Sequence, residues 1–135
     1  GNDAALLDDY LVTYDAALES CVFLAQVAPG DYEVLIYARM PDPAVPSYTD
    51  VDQEPGNPNS TVGGPWSGQH QELVSFSRHL ATVGQDGRLD LHSGIVPGFD
   101  PALGAALNGI QVLRIDVFAD GFESGGLAKW SAWAP

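Results

Sequence analysis

From Tyr32 to Met40 every second side chain is apolar. Tyr32, Val34, Ile36, Ala38 and Met40 share one face, while Glu33, Leu35, Tyr37 and Arg39 share the other. A period of two fits a pleated strand and not a helix. Because the second face is half apolar, this strand belongs inside a sheet rather than at its rim. A lone strand leaves its backbone N–H and C=O groups unpaired, so the rest of the chain must supply neighbours for it.

Candidate neighbours recur along the sequence. Glu19 to Val27 reads as a strand, and Ala28-Pro29-Gly30-Asp31 reads as a turn, which predicts a hairpin with Tyr32 to Met40. Leu73, Ser75 and Ser77 alternate with Val74, Phe76 and Arg78 in a strand over 72–83. Gln85-Asp86-Gly87 is a hairpin turn of the Asp-Gly type, leading into the alternating Arg88 to His92. Asn108 to Phe118, with Ile110, Val112, Ile115 and Val117, supplies a last core strand. Fifteen Gly and ten Pro among 135 residues favour many turns and short strands over long helices.

Two stretches depart from this pattern. Leu6, Leu7, Tyr10 and Leu11 recur at helical spacing, which predicts a short N-terminal helical turn before Val12 and Tyr14 resume strand alternation. Pro41 to Gly68 holds six Pro and four Gly and reads as one long surface loop, with a short edge strand at Ser47 to Val51. The length suits a single domain, expected over 1–118 with a tail at 119–135. No apolar run is long enough for a membrane span. The chain starts at Gly1 without a basic and apolar leader, so any export signal is expected to have been removed.

Charge narrows the partners. The net charge is −13, with eleven acids against Arg39 alone in residues 1–60. Such a surface repels phosphate backbones, so no nucleic-acid partner is expected. The single Cys21 excludes an internal disulfide. Its apolar neighbours Val22-Phe23-Leu24-Ala25 predict a buried structural thiol.

The segments Val27-Ala28-Pro29-Gly30-Asp31-Tyr32-Glu33-Val34, Tyr37-Ala38, Gly87-Arg88-Leu89 and Leu107-Asn108-Gly109-Ile110-Gln111-Val112 resemble bacterial secreted domains. Those domains are of the galactose-binding-like kind found among carbohydrate-binding modules and malectin-type domains. The resemblance implies an all-β, jelly-roll β-sandwich of roughly seven or eight strands. The tail Phe118-Ala119-Asp120-Gly121-Phe122-Glu123-Ser124-Gly125, followed by Trp130-Ser131, is similar to a C-terminal segment of exported bacterial proteins. It implies export and a natural C-terminus, and hence a secreted or cell-surface location.

No catalytic residue is expected. The Gly-x-Ser-x-Gly frame of a nucleophile elbow is absent, His79 and His92 fall within strands, and no carboxylate pair stands out, which leaves a hydrolase as the remote alternative. No cofactor is required. Asp50, Asp52 and Glu54 place carboxylates at alternate positions and make Ca2+ a candidate ligand. A transition-metal cluster is not expected, since no two His are close in sequence and Cys is single. Tyr48, Trp66 and His70 could present aromatic faces to a glycan. Leu6, Leu7, Tyr10 and Leu11, together with Phe122, Trp130 and Trp133, offer apolar ends for self-association or for another surface protein. The resulting expectation is a non-enzymatic extracellular module, a surface-assembly or fibre subunit, with carbohydrate binding as the alternative.

Overall fold

The computed structural model describes residues 6, 7 and 9–115; Phe122, Trp130 and Trp133 lie outside the described residues. The chain is all-β, one domain of antiparallel sheets. Its strands are β1 (Leu11–Thr13), β2 (Ser20–Leu24), β3 (Gly30–Tyr37), β4 (Ser47–Val51), β5 (Ser60–Val62), β6 (Phe76–Val83), β7 (Leu89–Ile95), β8 (Ala105–Leu107) and β9 (Gly109–Arg114). One sheet runs β2-β7-β4-β5, a second runs β6-β3-β9, and β1 pairs with β8. The expected helical turn is present at Leu6 and Leu7. Among the described residues no helix is long and apolar enough to cross a membrane.

The two larger sheets share one interior. Tyr32, Val34, Ile36 and Ala38 from the β3 segment meet Val51 of β4, Val62 of β5, Ala81 and Val83 of β6, and Leu89 and Leu91 of β7. The inward face read from the alternation of residues 32–40 is the buried one, from Tyr32 through Met40. At fully buried Val34, Ile36, Leu89 and Leu91, each side chain withdrawn from water contributes about 1.5–3 kcal/mol.

Part of this interior is polar and closes on itself. Thr49 Oγ1 lies 2.6 Å from Ser77 Oγ and 3.2 Å from His79 Nε2, and His79 Nδ1 lies 2.6 Å from Glu54 Oε2. Ser93 Oγ donates to Ala106 O, and Ser47 Oγ accepts from Ala106 N. Buried hydroxyls and imidazole are tolerated here because each finds a partner. His79 is thus a satisfied structural histidine.

Both expected hairpins are corrected. β2 pairs with β7, not with β3, which instead lies between β6 and β9. Residues 25–29 therefore carry the chain from one sheet to the other. Likewise the turn closed by Gly87 N donating to Gly84 O joins β6 in one sheet to β7 in the other. Pro-Gly and Asp-Gly chemistry fixes a reversal of the backbone, but not the layer in which the next strand lands.

Three further expectations change. Ser47 to Val51 is an inner strand, flanked by β7 and β5, rather than an edge. The long loop 41–68 is broken by β4 and β5. The strand expected over 72–83 begins at Phe76, because Ser75 N donates to Gln71 O and holds 71–75 in a turn, with Leu73 at φ +64°.

Asn108 ties several of these pieces together. It alone separates β8 from β9, its N–H donates to Tyr37 O, its Oδ1 accepts from Arg39 N, and its Nδ2 donates to Leu7 O. At this point the strand stops pairing with β1 and begins pairing with β3.

Candidate functional site

The outer face of β2-β7-β4 carries the densest chemistry among the described residues. In β2, Val22 and Leu24 turn toward the interior, which sends Cys21 and Phe23 outward. In β7, Leu91 and Ser93 are buried inward, so Asp90, His92 and Gly94 point the other way. In β4, Val51 and Thr49 are inward and leave Tyr48 and Asp50 outward. Register then aligns Cys21 opposite His92 on one side and Asp50 opposite His92 on the other.

Three donor atoms converge at this row. Cys21 Sγ is 3.2 Å from His92 Nδ1, and Glu19 Oε2 is 3.0 Å from the same nitrogen. All three lie within 4.8 Å of one another. On the far side of the ring, Asp52 Oδ1 sits 3.3 Å from His92 Nε2, within ion-pair range but off the line of a hydrogen bond. Gly94 lets the Tyr48 ring lie directly on the sheet, with the Tyr48 hydroxyl bonded to Glu19.

The surroundings are strongly anionic, and the titrations follow. Burial, then the charges of Glu19, Asp50, Asp52 and Asp90, push the Cys21 thiol up. Burial, then the bond to Glu19, raises the Tyr48 phenol well above its usual value. Burial raises the Asp50 carboxyl, against the lowering effects of His92 and an Asn57 hydrogen bond. A thiol held protonated is a poor nucleophile. The row is thus unsuited to thiolate attack and well suited to receiving a cation.

Cys21 is exposed, not buried as its apolar neighbours suggest. Period-two counting from Val22 and Leu24 would have put it outside. Glu19, Cys21 and His92 meet from segments 71 residues apart, a juxtaposition that spacing along the sequence does not anticipate. No sequence motif carries a spacing set by sheet register alone.

The other candidate residues are dispersed. Asp50 and Asp52 flank His92, but Glu54 turns away to His79 and to Leu80 N, so the three carboxylates face different partners. Trp66 and His70 do meet, with ring centroids 5.4 Å apart, and His70 packs edge-on against Tyr37 at 5.0 Å. Phe76 and the Arg39 guanidinium, 5.6 Å above the Trp66 ring, complete that cluster. Tyr48 belongs instead to the Cys21–His92 face. Leu6 lies beside Gly109 yet stays exposed, Leu7 is tied to the domain through Asn108, and Leu11 stays exposed on β1.

No protein-family model matches the chain, and neither curated proteins nor solved structures yielded a match.

Proposed function

We propose that this is a non-enzymatic extracellular or cell-surface module of jelly-roll type that acts by contact, as a subunit of a surface assembly. The jelly-roll reading is supported by the pairings. If β8 and β9 count as one strand bent at Asn108, the partners β1 with β8, β2 with β7, β3 with β6 and β4 with β5 are nested. Nested antiparallel pairs are what a long double strand gives when it is wound on itself into two sheets.

The observation that carries the assembly reading is the unguarded edge at β1. Sheet edges are ordinarily blunted by charge or Pro, yet Leu11, Val12, Thr13 and Tyr14 carry neither, in a chain of net charge −13. Among the described residues, β1 pairs with β8 on one side only. Five of the twelve exposed large apolar side chains among the described residues lie between Leu6 and Leu18, with Leu11 65% and Tyr14 63% exposed. Beside them opens a cleft of about 400 Å3, lined by Tyr10, Leu11, Val22, Leu107 and Ile110 among others. The occupant proposed for this edge is the β1 edge of a second copy, adding strand to strand.

Sedimentation and negative-stain electron microscopy of the full chain test this reading. Association that grows with concentration and is lost in Leu11→Lys is expected. A protein monomeric at every concentration would sink it. A second reading, glycan binding, is favoured by the Trp66, His70 and Tyr37 rings under Arg39, since rings beside hydrogen-bonding groups suit sugar faces. A glycan array should then show a ligand whose binding disappears in Trp66→Ala; an empty array ends that reading.

A further inference from the structure

The geometry around His92 points to a binding site for a single thiophilic divalent metal ion, of which Zn2+ is the type, held by Glu19 Oε2, Cys21 Sγ and His92 Nδ1. This goes beyond the proposed contact function and does not depend on it.

A ring nitrogen has one proton or one lone pair, so it makes one good hydrogen bond. Both Cys21 Sγ, at 3.2 Å, and Glu19 Oε2, at 3.0 Å, converge on the same His92 Nδ1. A cation placed among the three satisfies all of them at once, and their mutual distances, all within 4.8 Å, are those of ligands sharing one small ion.

Metal-bound histidines commonly direct the outer ring N–H at a carboxylate, which fixes tautomer and orientation. Asp52 Oδ1 stands 3.3 Å from His92 Nε2, in ion-pair range though off the line of a hydrogen bond, and the Tyr48 phenol bonds to Glu19. A buried carboxylate oxygen without a donor also lies close by. Asp90, 2% exposed and on the same face of β7 as His92, is already paired through Oδ2 with Arg88 Nε, whereas across the register from His92 the Oδ1 of half-buried Asp50 has no hydrogen-bond partner. Buried carboxylate oxygens without donors are what a nearby cation compensates.

The donor set selects the ion. Sulfur and imidazole favour Zn2+, Co2+ or Cu2+ over Ca2+, which prefers oxygen alone. On binding, the Cys21 S–H bond breaks, the proton leaves to solvent, and the thiolate pair forms the bond to the metal, with no change in oxidation state. Glu19 and Cys21 are exposed, so a fourth position is open to water.

Co2+ titration of the full chain tests the site. One equivalent should bind with a near-ultraviolet sulfur-to-cobalt charge-transfer absorption, and Zn2+ should displace it. Cys21→Ser should abolish the band, and Asp52→Asn should weaken Zn2+ binding by roughly 10- to 100-fold. Because Cys21 is exposed, the serine variant retains the sheet; in the unaltered protein, Zn2+ but not Ca2+ should also slow alkylation of Cys21. Absence of the band, or Zn2+ affinity unchanged in Cys21→Ser, would mean diffuse attraction to an acidic surface and would overturn the proposal.

Discussion

A methyl group added at Gly94 would fall 2.6 Å from Cε1 of Tyr48 and 2.7 Å from its hydroxyl. Glycine weakens a strand interior, so its presence in β7 signals a close approach that a side chain would block. Here the neighbour is the ring that holds Glu19. Gly94→Ala must therefore lift Tyr48 off the sheet, at a cost of about 1–3 kcal/mol in urea unfolding. In a Tyr48→Ala background the same substitution should cost much less, because the obstacle has gone. Equal costs in both backgrounds would place the strain elsewhere. At this scale the sequence says little: Gly94 reads as any turn-forming glycine until its cross-strand neighbour, Tyr48, is known. Cys21 was legible in principle, since counting by twos from Val22 sends it outward, but its apolar neighbours concealed the parity.

At the scale of elements, strand identity was more legible than strand partnership. The inward face of β3 follows from alternation alone, as do the reversals at Pro29-Gly30 and Asp86-Gly87, but the last strand stops at Arg114, and Ile115, expected in the core, is exposed. The partners do not follow from alternation. A turn signal is local, whereas the choice between a hairpin and a crossing to the opposite sheet is made by what each strand can bury. β2 exposes Cys21 and Phe23 and half-buries Val22 and Leu24, which suits a rim strand beside β7 better than a place beside β3. The short strands β5 and β8, of three residues each, carry too little pattern to be read. Their existence depends on neighbours that present free edges to them. The His79 network shows the same dependence: Ser77, Thr49 and Glu54 look unrelated in sequence and become one closed set only when β4 and β6 face each other.

For the molecule as a whole, acidity is the dominant property, and four carboxylates, Glu19, Asp50, Asp52 and Asp90, gather around the candidate site. Burial holds the Asp50 carboxyl above the ordinary 3.8. A raised carboxyl binds its proton more tightly in the folded than in the unfolded chain. Its contribution therefore favours folding at low pH and is lost as pH rises from about that ordinary value through the raised one. Above that window the penalty is constant. Asp50→Asn removes it, so the variant should show a higher Tm than the parent at pH 7 and a smaller difference on acidification, as read by calorimetry. A lower Tm at neutral pH would mean that Asp50 is stabilised as a carboxylate by His92 and Asn57 more than burial opposes it.

The sequence by itself determined that the chain is β-rich, where its principal strand turns its apolar face, and that its net charge is strongly negative. These follow from periodicity and composition, which act on each segment separately. The tertiary structure alone decided which strands are neighbours, and so brought Glu19, Cys21, His92, Asp50 and Asp52 to one patch. Register couples residues far apart in sequence through backbone hydrogen bonds that any side chain permits. No local pattern can encode that choice; it is fixed only when every apolar face is buried together.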